Sequence, residues 1–362
     1  MSDAASLYAA RFRSAVFGAN VAAMAILQRR EWIRAAVLGA AAPFLAGWPP
    51  AGAQPSPPGR RYRYIHLDVF TDRKLAGNQL LVYLDPQGLD VDTMARLTLE
   101  SNYSENTFVF PPEAAGTDVR VRIFGRSGEM PFAGHPTIGT AFALAHAGRI
   151  KPGTANMVFG LGVGPTPIDL EWKGSDLAFA WMTQQKPTFG KSIADAASVA
   201  SAIGLQASDI ASIQQSPAAQ EVNTGSTFII VPLASRRAVD AAVLDRPKLD
   251  ALRTANAMTG RGVYVFTTEG GSNTETTYSR LLPGGGGIED PATGSAAGPA
   301  ACFMVKYGFV PPDRAAAIAN VQGVLVKRPS RIHIKVVTNG GEITQVKVGG
   351  VSVVVGEGTK SL

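Results

Sequence analysis

The chain has 362 residues and carries 34 Lys and Arg against 28 Asp and Glu. Five of the Arg but only two of the acids fall in residues 1–53, so the remaining 309 are nearly balanced at 29 basic to 26 acidic residues. With no Lys/Arg run carrying interleaved aromatics, the basic pI gives no support to nucleic-acid binding. The single cysteine excludes an internal disulfide, and no Cys/His/carboxylate spacing suggests a metal.

Residues 1–53 read as a targeting leader. Gln28-Arg29-Arg30-Glu31-Trp32-Ile33-Arg34 has a twin-arginine pattern, and the AAVLGAAAPFLAGW that follows is too short and too rich in small residues to span a bilayer. Ala51-Gly52-Ala53 then offers a small-x-small cleavage site. Periplasmic export is expected, with cytoplasmic residence if the leader is not functional and no stable membrane association once it is removed. An N-terminal anchor, or a tail with a chance Arg pair, are the competing readings. Met24 lies just before the Arg pair and would serve as an alternative start, which N-terminal sequencing of the unprocessed precursor decides.

From Arg61 the pattern turns to strands. YRYIHLDVF (62–70) and NQLLVYL (78–84), separated by a Gly-containing turn, predict a hairpin or near-hairpin. Asp92 to Ser101 reads as a helix, NYSENTFVF (102–110) as a strand ending at Pro111-Pro112, and DVRVRIF (118–124) as its partner. Further on, 194–205 and 247–256 are helical, and 227–233, 262–268 and 276–282 are strands. The tail from Ser330 alternates well, and the sequence leaves open whether it returns to complete the first half. GGGG at 284–287 lacks the Lys-Ser/Thr of a P-loop and the GxGxxG spacing, so it predicts a loop that moves or lies close to ligand and no nucleotide site.

Two stretches share one layout. EMPFAGHPTIGTAFALAHAG (129–148) and EDPATGSAAGPAACFMVKYG (289–308) each place Glu, Pro two residues on, Gly three further, and an apolar run closed by Gly. RIF (122–124) or RLL (280–282) stands just upstream of each. A strand, a turn and an apolar helix are thus used twice, at a period too long for a solenoid, which implies two similar halves. Each Pro-x-x-Gly puts small residues at a helix N-terminus, where free N–H groups and the helix dipole attract a carboxylate or phosphate. Either copy alone would mean little, since Pro starts and Gly stops helices in any fold. The expected architecture is α+β: two pseudo-symmetric domains, each a strongly curved, mostly antiparallel sheet wrapped around a central helix. The expected boundaries are 62–182 for the first domain, completed or not by 345–356, and 183–344 for the second.

LDVFTDRKLAGNQLLVY, NYSENTFVF, RIFGRSGEMPFAGHPTIGTAFAL and RLLPGGGGIEDPATGSAAGPA together resemble the PhzF-like phenazine-biosynthesis isomerases, which share the diaminopimelate epimerase fold. The resemblance runs from about Tyr62 to Gly356. It implies a cofactor-free isomerase acting on a small carboxylate-bearing substrate, and a homodimer. By motif matching, Glu105 is the implied general acid/base, assisted by His135 and Asp290. Ser295, with Gly134, Gly294 and Thr293 of the two motifs, is the implied substrate contact. Related racemases carry two facing cysteines. The matching positions here carry none, which excludes a two-thiol mechanism. The export pattern departs from the family, whose members are cytosolic, and argues against a role inside a phenazine pathway.

The chemistry has local support. A carboxylate that takes a proton from carbon must be desolvated to hold it near neutral pH, and Glu105 sits between Tyr103 and Phe108 at the start of an apolar strand. By its local sequence alone it also reads as an exposed turn glutamate. His135, just after Gly134, falls at a helix N-terminus, where the dipole favours neutral imidazole; it also suits a capping or packing role. Asp290 before Pro291 has the form of an N-cap. His66, His146 and His333 read as structural or surface residues, and Cys302 as a small buried apolar one. A lyase working through the same carbanion is the enzymatic alternative. A non-catalytic periplasmic small-acid binder is the other, against which the three catalytic candidates together argue.

Overall fold

The first strand alternates in part between buried and exposed side chains, whereas the second is buried along nearly its whole length. β1 (Arg61–Val69) and β2 (Asn78–Tyr83) pair antiparallel across the turn at 70–77. The computed structural model describes residues 59–362 apart from 261, 273 and 284–286. The leader expected over 1–53, and three of the four glycines at 284–287, lie outside the described residues.

Helix α1 (Val91–Ser101), capped by the Asp90 side chain on Thr93 N, returns the chain to β3 (Glu105–Phe110), parallel to β2. β4 (Val119–Gly125) lies antiparallel to β3 and turns into the short β5 (Gly128–Met130). Helix α2 (Gly134–His146) then leads to β6 (Asn156–Leu161), parallel to β4, and to the antiparallel β7 (Gly164–Lys173) and β8 (Asp176–Gln184).

The second half contains β9 (Thr188–Ile193), α3 (Ala196–Ala202), β10 (Ala219–Asn223), β11 (Thr227–Pro232), α4 (Arg236–Ala241) and α5 (Arg246–Asn256). After these come β12 (Val263–Thr267), β13 (Thr277–Leu281), α6 (Gly294–Lys306), β14 (Ile318–Gln322), β15 (Ser330–Asn339), β16 (Glu342–Gly350) and β17 (Ser352–Ser361).

The ladder order exposes the repeat. One series runs β17-β1-β2-β3-β4-β6-β7-β8, the other β9-β10-β11-β12-β13-β14-β15-β16. In both, the third and fifth pairings are parallel and the other five antiparallel. A parallel step needs a crossover, and α1 and α2 supply it in the first series, α4 with α5 and α6 in the second. β8 pairs antiparallel with β16 and joins the series. β17 returns at the end of the chain to pair with β1.

The two crossover helices α2 and α6 are the cores of the halves. In each, eleven of thirteen residues are buried. Such helices read as apolar all round, with no amphipathic stripe, because strands cover nearly every side. The repeat also preserves an ion pair: Arg122 grips Glu129 with both Nε and Nη2, and Arg280 grips Glu289 in the same way. The first pair is partly exposed, whereas the second is buried and Arg280 also donates to the Val239, Asp240 and Ala242 carbonyls.

Candidate active site

Glu105 opens β3, His135 is the second residue of α2, and Asp290 lies on the loop before α6. Positions far apart in sequence therefore converge, and one ligand-type atom from each of the three lies within 4.8 Å of the others. His135 Nε2 is 3.5 Å from Glu105 Oε2. The imidazole is almost wholly buried behind Glu105, and loss of water pushes its pKa down to about 3, against a backbone hydrogen bond with Gln79 that pulls the other way. It is neutral throughout the physiological range. Burial, more than the helix dipole invoked from sequence, is the cause.

Asp290 responds to burial in the opposite direction. Desolvation raises its pKa, although three hydrogen bonds favour the carboxylate: Thr293 Oγ1 to Oδ2 at 2.6 Å, Ser104 Oγ to Oδ1 at 2.8 Å and Asn78 Nδ2 to Oδ1 at 2.7 Å. The expected N-cap role is not what the geometry provides. Thr293 holds the N-cap position of α6, no side chain caps that end, and Asp290 accepts from the Thr293 hydroxyl. The N-terminus of α2 likewise has no side-chain cap, so both helix ends keep free N–H groups.

Residues outside the sequence-derived set hold the site in place. Asn78 Nδ2 reaches Asp290 Oδ1, the Ala292 carbonyl at 2.9 Å and, at 3.1 Å, His135 Nδ1. Gln322 donates to the Asp290 carbonyl at 2.9 Å and to Thr293 Oγ1, and accepts from Thr293 N. A lone Asn opening an otherwise apolar strand in GNQLLVY was the available signal for the first. Gln322 had none, because its partners come from a loop 30 residues upstream. Ser104 stood inside the SENTF string, but only the fold brings it to Asp290.

A cavity of about 480 Å³ opens at the site, lined by Ser104, Glu105, Asp290, Thr293 and Ser295 among others. Gly134 and Gly294, at the first turns of α2 and α6, are in backbone contact with one another. Glu105, His135 and Asp290 have the donor set for a cation, but the hydroxyl and amide donors already satisfying Asp290 are arranged for an anionic or proton-sharing carboxyl group. His66 stacks on Tyr103, His146 pairs with Glu357, His333 lies in β15 beside Trp181, and Cys302 is buried inside α6 with its thiol pKa raised.

The ladders also locate the position facing Glu105 in the repeat. Phe108 pairs with Arg122, and Val265 pairs with Arg280. Three residues back from each stand Glu105 and Gly262, and both line the cavity. The repeat thus supplies a carboxylate from one half and no side chain from the other.

The family model described as phenazine biosynthesis-like protein (PhzC-PhzF) matches residues 67–358. The chain belongs to the PhzF family. An uncharacterized isomerase of Mesorhizobium japonicum is 33% identical over 298 residues, covering 82% of this chain and 97% of that protein. The trans-2,3-dihydro-3-hydroxyanthranilate isomerase of Pseudomonas aeruginosa is 31% identical over 304 residues, covering 82% and 98%. The solved structure of a predicted epimerase from Pseudomonas aeruginosa superposes with a TM-score of 0.70 at 30% identity, covering 83% of this chain and 99% of that one. This PhzF-family chain is an isomerase, with the curved α+β fold of that family.

Proposed function

We propose that the protein is a cofactor-independent, single-base isomerase of a small unsaturated carboxylic acid. Glu105 removes a proton from carbon next to the unsaturated system. The C–H bond breaks, its electron pair delocalises toward the acid, and the proton held on Glu105 returns to carbon at another position of the same system. Buried neutral His135 keeps the Glu105 carboxylate out of water and within reach of a hydrogen bond. Asp290, held by Ser104, Thr293 and Asn78, contacts substrate from the opposite side. The uncapped ends of α2 and α6, with Gly134, Gly294, Thr293 and Ser295, take the substrate carboxylate.

The observation that carries this reading is the pairing of one carboxylate with one glycine: Glu105 faces the cavity and its repeat counterpart Gly262 offers no second acid or base. That favours a proton moved by one residue over the two-base arrangement of a racemase.

The test is solvent deuterium incorporation, read by mass spectrometry, into a panel of small unsaturated, amino and hydroxy acids that includes trans-2,3-dihydro-3-hydroxyanthranilate. Exchange by the wild type that persists in chelator and is lost in Glu105→Gln supports the reading. Exchange surviving that substitution removes Glu105 as the base. Tight binding without exchange replaces the enzyme reading with that of a binder.

The proposal extends to place and assembly: a homodimer in the periplasm, delivered by the twin-arginine leader. Cell fractionation with an Arg29→Lys/Arg30→Lys precursor as control, and sizing of the purified protein by light scattering, test the two parts separately.

A further inference from the structure

The cavity is more cationic than a monocarboxylic acid needs. Its lining carries the acids Glu105 and Asp290 but also Arg126, Arg246 and Arg253. Arg126 comes from the β4–β5 turn, on the Glu105 half. Arg246 and Arg253 come from α5, where with Leu249 they occupy positions i, i+3 and i+7 on one face. The side of a small helix that turns toward an apolar wall ordinarily repeats Leu or Val at that spacing. Here two of the three are guanidinium groups.

The three arginines are not equally available. Arg246 is spent on Asp250, at 3.1 Å. Arg126 gives Nη2 to the Asn102 carbonyl, and among the described residues it has no carboxylate within ion-pair distance. Arg253 gives Nη2 to the Gly260 carbonyl, and its Nε is buried with no acceptor among the described residues. Its position is fixed from behind: buried Glu221 accepts from Thr259 N and Gly260 N at 2.5 and 2.6 Å, which pins the loop carrying the Gly260 carbonyl. Two backbone N–H groups occupy that carboxylate, and it makes no ion pair with Arg253 among the described residues. A half-buried guanidinium braced by the Gly260 carbonyl and lining the cavity is suited to an anionic ligand group.

We infer that Arg253, seconded by Arg126 from across the cavity, selects substrates bearing a second carboxylate besides the one held at the helix ends. This specificity rests on the proposed isomerase reading, since the first carboxylate is assigned there.

Calorimetric titration of butanoate, pentanoate and benzoate against succinate, glutarate and isophthalate tests it on the wild type, Arg253→Gln, Arg253→Lys and Arg126→Gln. At least one dicarboxylate should bind about tenfold or more tightly than its matched monocarboxylate. Arg253→Gln should abolish that preference while leaving monocarboxylate affinity unchanged, and Arg253→Lys should restore part of it. Arg126→Gln, on an exposed turn, should reduce the preference without risk to folding. Equal binding of mono- and dicarboxylates, no measurable binding of any dicarboxylate, or a preference that survives both neutral variants would overturn the inference. Binding is read without turnover. No dicarboxylate preference in the wild type with Glu105-dependent exchange intact sinks only the second-carboxylate assignment, and exchange independent of Glu105 with the wild-type preference intact sinks only the single-base reading.

Discussion

Gly134 and Gly294, the corresponding glycines of the two repeats, meet backbone to backbone. A Cβ on Gly134 would fall 2.6 Å from both the Cα and carbonyl carbon of Gly294 and from Ser295 N. One on Gly294 would come within 3.2 Å of Gly134 Cα and 2.9 Å of the Phe70 ring. The contact brings the first turns of α2 and α6 together, and with them their N-terminal N–H groups.

That contact reverses an ordinary expectation. Gly to Ala in a helix usually stabilises by up to about 1 kcal/mol. Gly134→Ala should destabilise by roughly 1–3 kcal/mol, because the neighbour is main chain and cannot rotate aside. Activity should fall by more than stability explains, since separating the two helix ends also separates Glu105 from Asp290. Urea unfolding together with turnover at a temperature where the variant is fully folded checks both. A variant as stable as wild type would show that the two turns part without cost.

His135 makes a prediction about acid. Its folded pKa of about 3 lies below the 6.5 of an unperturbed histidine. The unfolded chain therefore binds a proton below pH 6.5 that the folded chain refuses until about pH 3. The stability contribution is whole above pH 6.5 and is lost as pH falls through that window, by up to roughly 1.4 kcal/mol per unit. Asp290, with its pKa raised, works in the other sense: its contribution is largest at low pH and is lost as pH rises through the ionisation of the unfolded carboxyl group. Because the two offset, the informative quantity is the difference between wild type and His135→Gln. Denaturation midpoints between pH 7 and 4.5 should fall more steeply for wild type, and parallel curves would contradict the buried neutral imidazole.

Much of this arrangement was legible in the chain because it is local. The doubled Glu-x-Pro-x-x-Gly layout marks both core helices, apolar runs mark β2 and β3, and alternation marks β4 and the tail. Among the strands that escaped notice, which also include β5 and β14, β9 at Thr188–Ile193 and β10 at Ala219–Asn223 alternate poorly, with Gly190 and Lys191 in the first and buried Gln220 and Glu221 in the second. The short α4 hides behind its arginine pair. What no local pattern could carry is contact between distant segments: Gln322 on the Asp290 loop, Asn78 across the halves, and α5 turning arginines toward the cavity.

Asn78 shows what such a contact is worth. Its amide group spans three partners from two segments, and it is fully buried. Asn78→Ala leaves the Ala292 carbonyl without its donor and removes one of the two hydrogen bonds to Asp290 Oδ1, at a cost of about 1–3 kcal/mol. Turnover should fall by roughly 10²-fold, from lost orientation of Asp290, with a smaller change in substrate affinity. Asn78→Asp should be worse than Ala, since it places a second carboxylate against Asp290. Steady-state kinetics on the folded variants decides this, and a Michaelis constant that rises while turnover stays fixed would place Asn78 in binding alone.

Single-base transfer has a signature that two-base transfer lacks. A carboxyl group carries one proton, so a proton taken by Glu105 stays on it until it is delivered or exchanges with solvent. With no acid at the paired position Gly262, Glu105 is the group placed to return the proton it takes. A substrate carrying deuterium at the abstracted carbon should therefore give product in which part of the label reappears at the new position. The retained fraction should rise as the cavity is better closed to water and fall as turnover slows relative to exchange. A two-base enzyme delivers a different proton from a second residue and shows no retention in a single turnover. Product labelling measured at low conversion by mass spectrometry distinguishes the two. Complete washout at every substrate concentration, with exchange still dependent on Glu105, would mean either that the Glu105 proton exchanges with solvent before delivery or that a second group returns a proton, for which Asp290, its pKa raised by burial, is in place.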